Sequence, residues 1–266
     1  MRIHYRQALA AAVSVVALGA ATPALSAGGV EWSYHGDIGP EHWGDLVDSH
    51  GDRAYPLCAL GTAQSPIDIP AGAAVDARRM PLAFDYRPVP LAVKNNGHTI
   101  QVDYAPGSTM TVQGVTYDLL QFHFHAPSEH HVDGDVYPME GHLVHGRQNG
   151  DTLELAVVGF LMTEGEANPV IQGIWEHMPA ETGSVTVRGA KVSAADLLPD
   201  SREYYGYSGS LTTPPCSEDV KWHVLAEPIE VSERQIAAFE ELFEMNARPP
   251  QPLNGRLVIE SAARPQ

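Results

Sequence analysis

Histidine is the side chain most often recruited to hold a transition metal, and six of the 13 histidines of this chain fall between residues 123 and 145. The run Leu119-Leu120-Gln121-Phe122-His123-Phe124-His125 alternates with the two-residue period of a β-strand. Gln121, His123 and His125 therefore share one face, and Phe122 and Phe124 the other. Histidines at i and i+2 of a strand have Cα atoms roughly 6.6 Å apart, close enough for both rings to lean onto one ion. Downstream, Glu140-Gly141-His142-Leu143-Val144 alternates as well and puts Glu140, His142 and Val144 on one face. If the two segments pair, His123, His125 and His142 converge with no cysteine nearby. Three neutral imidazoles with a fourth position open describe a catalytic zinc site rather than a structural one, with one ion per chain. Metal-bound imidazoles donate their other N–H to a nearby acceptor, a role that suits Gln121 and Glu140.

The same block belongs to a longer series: Gly39-Pro40-Glu41-His42-Trp43, Gln64-Ser65-Pro66-Ile67-Asp68-Ile69, Asn96-Gly97-His98, Ser128-Glu129-His130 and Ser210-Leu211-Thr212-Thr213-Pro214-Pro215-Cys216. In these motifs and their order the chain resembles the α-class carbonic anhydrases of the exported, bacterial type. The resemblance implies reversible hydration of carbon dioxide to bicarbonate and a proton, by attack of a zinc-bound hydroxide. It implies that Thr212 accepts from that hydroxide and donates to Glu129, with Thr213 on the same wall. Val144, Val157, Leu211, Val220 and Trp222 then match the family's apolar substrate pocket. His98 matches its proton shuttle, a task suited to a side chain that titrates near neutrality, and Tyr34, Asn96 and Gln101 match the polar wall that orders the relay. One departure is Asn246-Ala247-Arg248-Pro249, which has alanine where many relatives carry tryptophan; it is expected to lie away from the chemistry and to affect only C-terminal packing. Two rival readings remain: a cupin-like metal protein, in which Glu129 itself ligates the ion, and a non-catalytic zinc-binding module. No His-Glu-x-x-His occurs, which disfavours a zinc peptidase.

The elements around the site read as mainly β. Strand patterns recur at residues 82–86, 91–95, 99–104 and 110–112, and residues 153–160 form an apolar run suited to a buried central strand. Pro and Gly, 21 and 24 residues, punctuate them. A short helical turn is expected around Trp43–His50. Asn168-Pro169 is an N-cap and first-turn pair ahead of the stripe Ile171, Ile174, Trp175 and Met178. Ser232-Glu233-Arg234-Gln235 is a capping box ahead of Ile236, Phe239, Leu242 and Phe243. The fold class that the resemblance implies is α+β, mainly β: one large, twisted, mostly antiparallel central sheet with a few peripheral helices. Ser65-Pro66 and Pro214-Pro215 are candidate cis bonds, because only X-Pro makes cis accessible.

Residues 1–27 read as a signal peptide: Arg2 and Arg6, a short apolar core, then Ala24-Leu25-Ser26-Ala27. Residues 28–266 are then one domain, exported to the periplasm or beyond. The 33 acidic and 16 basic residues give a net charge of −17, a surface that disfavours nucleic acid and anionic membranes. The expected partner is a small-molecule substrate, with a homodimer also compatible. Cys58 and Cys216 are the two cysteines. An even count in an exported chain favours a disulfide, and some exported members of the resembled family bridge these positions.

Overall fold

The computed structural model describes residues 29–77 and 81–261; the expected signal segment lies outside them. In chain order the strands are β1 (Asp68–Ile69), β2 (Val75–Asp76), β3 (Ala83–Asp85), β4 (Val89–Asn95), β5 (Ile100–Asp103), β6 (Thr109–Val112) and β7 (Val115–His125). They continue with β8 (His131–Val132), β9 (Asp135–Val136), β10 (Met139–Asn149), β11 (Thr152–Glu164), β12 (Gly183–Val192), β13 (Tyr204–Gly209), β14 (Val220–Val231) and β15 (Ile259–Glu260). One large sheet runs β12-β4-β5-β7-β10-β11-β14-β13-β15-β2, with β3 and β6 attached beside β7. Most neighbours are antiparallel; β11 with β14 and β15 with β2 are parallel. The long strands β7, β10, β11 and β14 lie side by side at its centre, where both faces are covered and the site is held.

The alternation that groups the histidines also separates two apolar layers. Phe122, Phe124, Leu143, Val158 and Phe160 point to one side and join the main core. Val144, Val157, Val220, Trp222 and Val224 point to the other, with Ile67 and Tyr207. Fully burying a phenylalanine stabilises by about 2 kcal/mol, so Phe122 and Phe124, both wholly buried, fix which face of β7 its histidines occupy. Gly141 has a packing reason: a Cβ there would lie 2.1 Å from the Phe160 ring, its partner across β10 and β11. A register shift between Val144 and His145 reverses the facing of β7 further back, so Leu119 and Tyr117 join the main core rather than the site.

The helices are short. α1 (Leu57–Leu60) carries Cys58. The turn expected around Trp43 is a 3-10 turn over Trp43–Asp45. α2 (Pro169–Trp175) is capped by Asn168, whose side chain accepts from the Val170 and Ile171 amides. α3 (Glu233–Glu240) starts with the complete Ser232/Gln235 capping box. Ser65-Pro66 and Pro214-Pro215 are both cis, as is Ala126-Pro127, which had not been expected. The Cys58–Cys216 disulfide is formed, with a sequence separation of 158.

Candidate active site

β7 and β10 pair antiparallel with His142 opposite His123 and Glu140 opposite His125. The ring centroids of His123, His125 and His142 lie 4.6–5.2 Å apart, and one nitrogen from each lies within 4.8 Å of the others. The remaining nitrogen of each ring is already committed. His123 Nδ1 donates to Gln121 Oε1 at 2.8 Å, His125 Nδ1 to the Asn246 carbonyl at 2.8 Å, and His142 Nε2 to Glu140 Oε1 at 2.9 Å. These donations leave the lone pairs on His123 Nε2, His125 Nε2 and His142 Nδ1 free to face one another. Buried ring nitrogens are rarely left unpaired, yet His125 Nε2 is buried without a partner. Desolvation by burial lowers the pKa of all three, His123 well below its usual value, His125 to about 4, and His142. Rings held neutral, with lone pairs inward and donors outward, fit a metal ion.

Glu140 collects four hydrogen bonds. The amides of Glu129 and His130 donate to Oε2 at 2.9 and 2.8 Å, and His130 Nδ1 and His142 Nε2 donate to Oε1 at 2.7 and 2.9 Å. Burial alone would raise its pKa, but the charge interactions with His130 and His142 outweigh that and hold it well below the usual range. His130, Glu140 and His142 also form a metal-compatible triad, but here the carboxylate serves as the clasp between two imidazoles. His130 Nε2 continues the chain to the Tyr207 hydroxyl at 2.6 Å, which meets Ser65 Oγ at 2.8 Å.

Glu129 is fully buried beneath the histidines. Its Oε1 accepts from the Arg248 amide at 2.9 Å. Its Oε2 lies 3.6 Å from His125 Nε2 and 3.9 Å from His142 Nδ1, without a hydrogen bond of normal geometry. The nearby Thr212 hydroxyl acts on the carboxylate all the same: burial pushes its pKa up to about 7, while His142, the Arg248 amide and Thr212 pull it down. Thr212 and Thr213 sit in a loop held from several sides. The Cys216 amide donates to the Thr213 carbonyl at 2.9 Å, Trp222 Nε1 to the Ser210 carbonyl at 2.9 Å, and Gln64 Nε2 to the Cys216 carbonyl at 3.0 Å.

The remaining predicted residues divide between two walls. Val144 faces Val157 across β10 and β11, Val157 faces Trp222 across β11 and β14, and these pack with Val220 and Leu211. Trp222 lies 4.9 Å from the His142 ring, centroid to centroid. On the polar side, Gln101 is the cross-strand partner of His123 and accepts from Asn96 Nδ2 at 3.2 Å. Asn96 Oδ1 accepts from the His98 amide at 2.9 Å. The turn that presents His98 needs Gly97, at φ 90°. The His98 ring stacks on Trp32 at 3.8 Å and lies edge-on to Tyr34 at 6.5 Å. Burial lowers the His98 pKa, and burial followed by the Glu129 charge raises that of Tyr34 well above its usual value.

Two contributors escaped the sequence reading. Asn246 and Arg248 flank Ala247, and the expectation that this segment lies away from the chemistry is corrected. Besides holding His125, Asn246 accepts from the Ala126 amide at 2.8 Å and donates to the His98 and Phe124 carbonyls, both at 3.0 Å. Arg248 supports Glu129 through its amide, while its buried guanidinium donates to Gln64 Oε1 and to the Ser65 and Cys58 carbonyls. An Asn or Arg after the last helix carries no spacing signal; the burial of the arginine against the Trp43 ring and the Gln64, Ser65 and Cys58 oxygens appears only in three dimensions.

A model of the eukaryotic-type carbonic anhydrases matches residues 38–262. The chain belongs to this family. A carbonic anhydrase from Nostoc is 46% identical over 87% of this chain and 86% of its own length, and one from Pectobacterium carotovorum is 42% identical over 86% and 91%. Among solved structures, the α-carbonic anhydrase of Thermovibrio ammonificans in complex with the inhibitor sulfanilamide is similar at a TM-score of 0.80. It is 46% identical and covers 87% of this chain and 100% of its own. The carbonic anhydrases are lyases that hydrate carbon dioxide, so this chain is an enzyme of that class. The mixed twisted sheet with few helices is the architecture of these neighbours.

Proposed function

We propose that the chain catalyses zinc-dependent, reversible hydration of carbon dioxide at this site. The observation that carries the reading is the convergence of three imidazoles, each with its outward nitrogen pinned by an acceptor and one inward nitrogen buried without a partner. His123 Nε2, His125 Nε2 and His142 Nδ1 would hold one ion per chain, and all-nitrogen, cysteine-free ligation suits catalytic zinc. When bound, zinc supplies Lewis acidity and a nucleophile derived from water at neutral pH.

The chain's own residues do the rest. A Thr212 hydroxyl that donates to Glu129 can only accept on its other side, so it orients the incoming nucleophile by one lone pair. Val144, Val157, Leu211, Val220 and Trp222 offer carbon dioxide, which has no dipole, an apolar wall beside that nucleophile, with Thr213 at its edge. His98 would take the released proton to solvent, with Tyr34, Asn96 and Gln101 ordering the path. Residues 28–266 form one exported domain in this reading, and residues 1–27 are removed as a signal peptide. Among the described residues no helix is long and apolar enough to cross a membrane.

The test is stopped-flow hydration of carbon dioxide on purified protein, before and after zinc chelation. The rate should fall to background on chelation and return when zinc is restored. Full activity in metal-free protein would end the proposal.

A further inference from the structure

The opposite face of the sheet from the histidines holds a cavity of about 300 Å³, at the lower end of small-ligand sites. It lies between the β6–β7 hairpin and the C-terminal segment around β15, over β13 and β14. Its position follows from register. Trp222 points to the histidines, so its neighbours Lys221 and His223 point away. Across β13 their partners are Ser208 and Gly206, and across β11 they are Ala156 and Val158. Gly206 lets Ile259 and Tyr204 lie close against the sheet, 3.0 and 3.1 Å from where its Cβ would be, and Ile259 forms part of the cavity wall. Val112, Val115, Leu257 and Ile259 contribute apolar walls.

Lys221 and His223 line this space. Lys221 is one of three lysines in an acidic chain, and its Nζ donates to the Tyr117 hydroxyl at 2.6 Å, with the ammonium 5.3 Å from that ring. Among the described residues no carboxylate lies within ion-pair distance of it. Glu154, which feels its charge, is taken up by Arg147 at 3.8 Å and Asn149 at 2.6 Å. His223, 94% buried by its 6% exposure, also lines the cavity. The Val157 backbone acts on its ring, yet no hydrogen bond of normal geometry reaches Nδ1.

We propose that this cavity is a second small-molecule site, separate from the histidine cluster, that takes a compact organic monocarboxylate with an aromatic body. The ring would lie between the aliphatic walls. The carboxylate would meet Lys221 Nζ, whose remaining hydrogens are free to donate, in a charge-assisted bond. Nothing in the site depends on how the metal reading fares.

Benzoate is the probe, followed by isothermal calorimetry. Wild-type protein should show one saturable event that His142→Ala retains, since that variant disables the other face alone. Lys221→Met, which keeps the aliphatic stem, should weaken it by about tenfold, the equivalent of one charge-assisted hydrogen bond of about 1.4 kcal/mol. Ser208→Phe, which fills the cavity from the exposed side, should abolish it. Both variants should keep the wild-type hydration rate, which checks that they fold. Absence of saturable binding, its loss in His142→Ala, or full affinity in both Lys221→Met and Ser208→Phe would overturn the proposal.

Discussion

The Asn246 carbonyl accepts a 2.8 Å hydrogen bond from His125 Nδ1, while the Asn246 side chain holds the backbone on either side of that histidine at Ala126 and Phe124. One residue thus sets both the tautomer of an imidazole and the position of the strand end that carries it. Asn246→Ala keeps the carbonyl but leaves the Ala126 amide buried without a partner, at about 1–3 kcal/mol. Because the acceptor of His125 survives, zinc affinity should fall only as far as the loosened strand end displaces the ring, by less than the roughly 10- to 100-fold cost of losing such a partner outright. Competition with a chromophoric chelator should show that drop together with a lower denaturation midpoint. Unchanged zinc affinity would mean that the Asn246 contacts serve stability alone.

Glu129 separates the enzyme reading from a ligand set that includes the carboxylate, because its Oε2 is 3.6 Å from His125 Nε2. If Glu129 acts through Thr212, Glu129→Ala and Thr212→Ala should each keep zinc and each lower the hydration rate by on the order of 100-fold. The double variant should be little worse than either single one, since the two act as a unit. Release of zinc from Glu129→Ala, with Thr212→Ala nearly wild type, would make Glu129 a ligand instead.

His98→Ala should slow turnover in dilute buffer and spare the interconversion of carbon dioxide and bicarbonate measured by isotope exchange. Added imidazole should restore part of the loss. A rate in dilute buffer equal to wild type would place the relay elsewhere. Trp32 stacks on the His98 ring at 3.8 Å, so Trp32→Ala tests whether that contact sets the shuttle's position.

The pattern of β7 makes much of this site legible in the sequence. Period-two alternation fixes which side chains share a face, so Gln121, His123 and His125 could be grouped, and Glu140 with His142, from spacing alone. The two helix caps were equally local. What spacing does not encode is contact between distant segments. Asn246 reaches His125 across 121 positions and Arg248 reaches Glu129 across 119, and neither had a periodicity to betray it. The register shift at Val144/His145 was hidden for a related reason. A bulge depends on how two strands meet, and each strand read singly looks regular.

Two histidines outside the site predict the acid limb of stability. Burial lowers His145 to about 3 and His223 to about 4, against an unfolded value near 6.5. The unfolded chain therefore binds more protons, and stability falls as pH drops from about 6.5 toward those values, at up to about 1.4 kcal/mol per pH unit for each ring. Urea midpoints near neutrality and at about pH 5 should differ less for His145→Gln and for His223→Leu than for wild type. An equal pH response in both variants would assign the acid sensitivity to other groups.

Removing the Cys58–Cys216 bridge should cost on the order of 5 kcal/mol in the loop-entropy description of so long a loop. The Thr212 loop should also loosen, since Cys216 closes its end. Cys58→Ser with Cys216→Ser should lower the melting temperature and slow hydration together. A lower melting temperature with an unchanged rate would show that the bridge holds the fold without shaping the loop.

The contacts of Asn246 and Arg248 also set an order of events for a chain made from its N-terminus. His123, His125 and His142 leave the ribosome more than 100 residues before the groups that hold His125 and Glu129 in place. A nascent chain thus carries every imidazole of the cluster while one still lacks its acceptor and the carboxylate beneath lacks its amide donor. A product that stops short of Asn246 would keep all three histidines in sequence yet leave the cluster unfinished. A segment synthesised more than 100 residues later completes a centre whose ligands are already made.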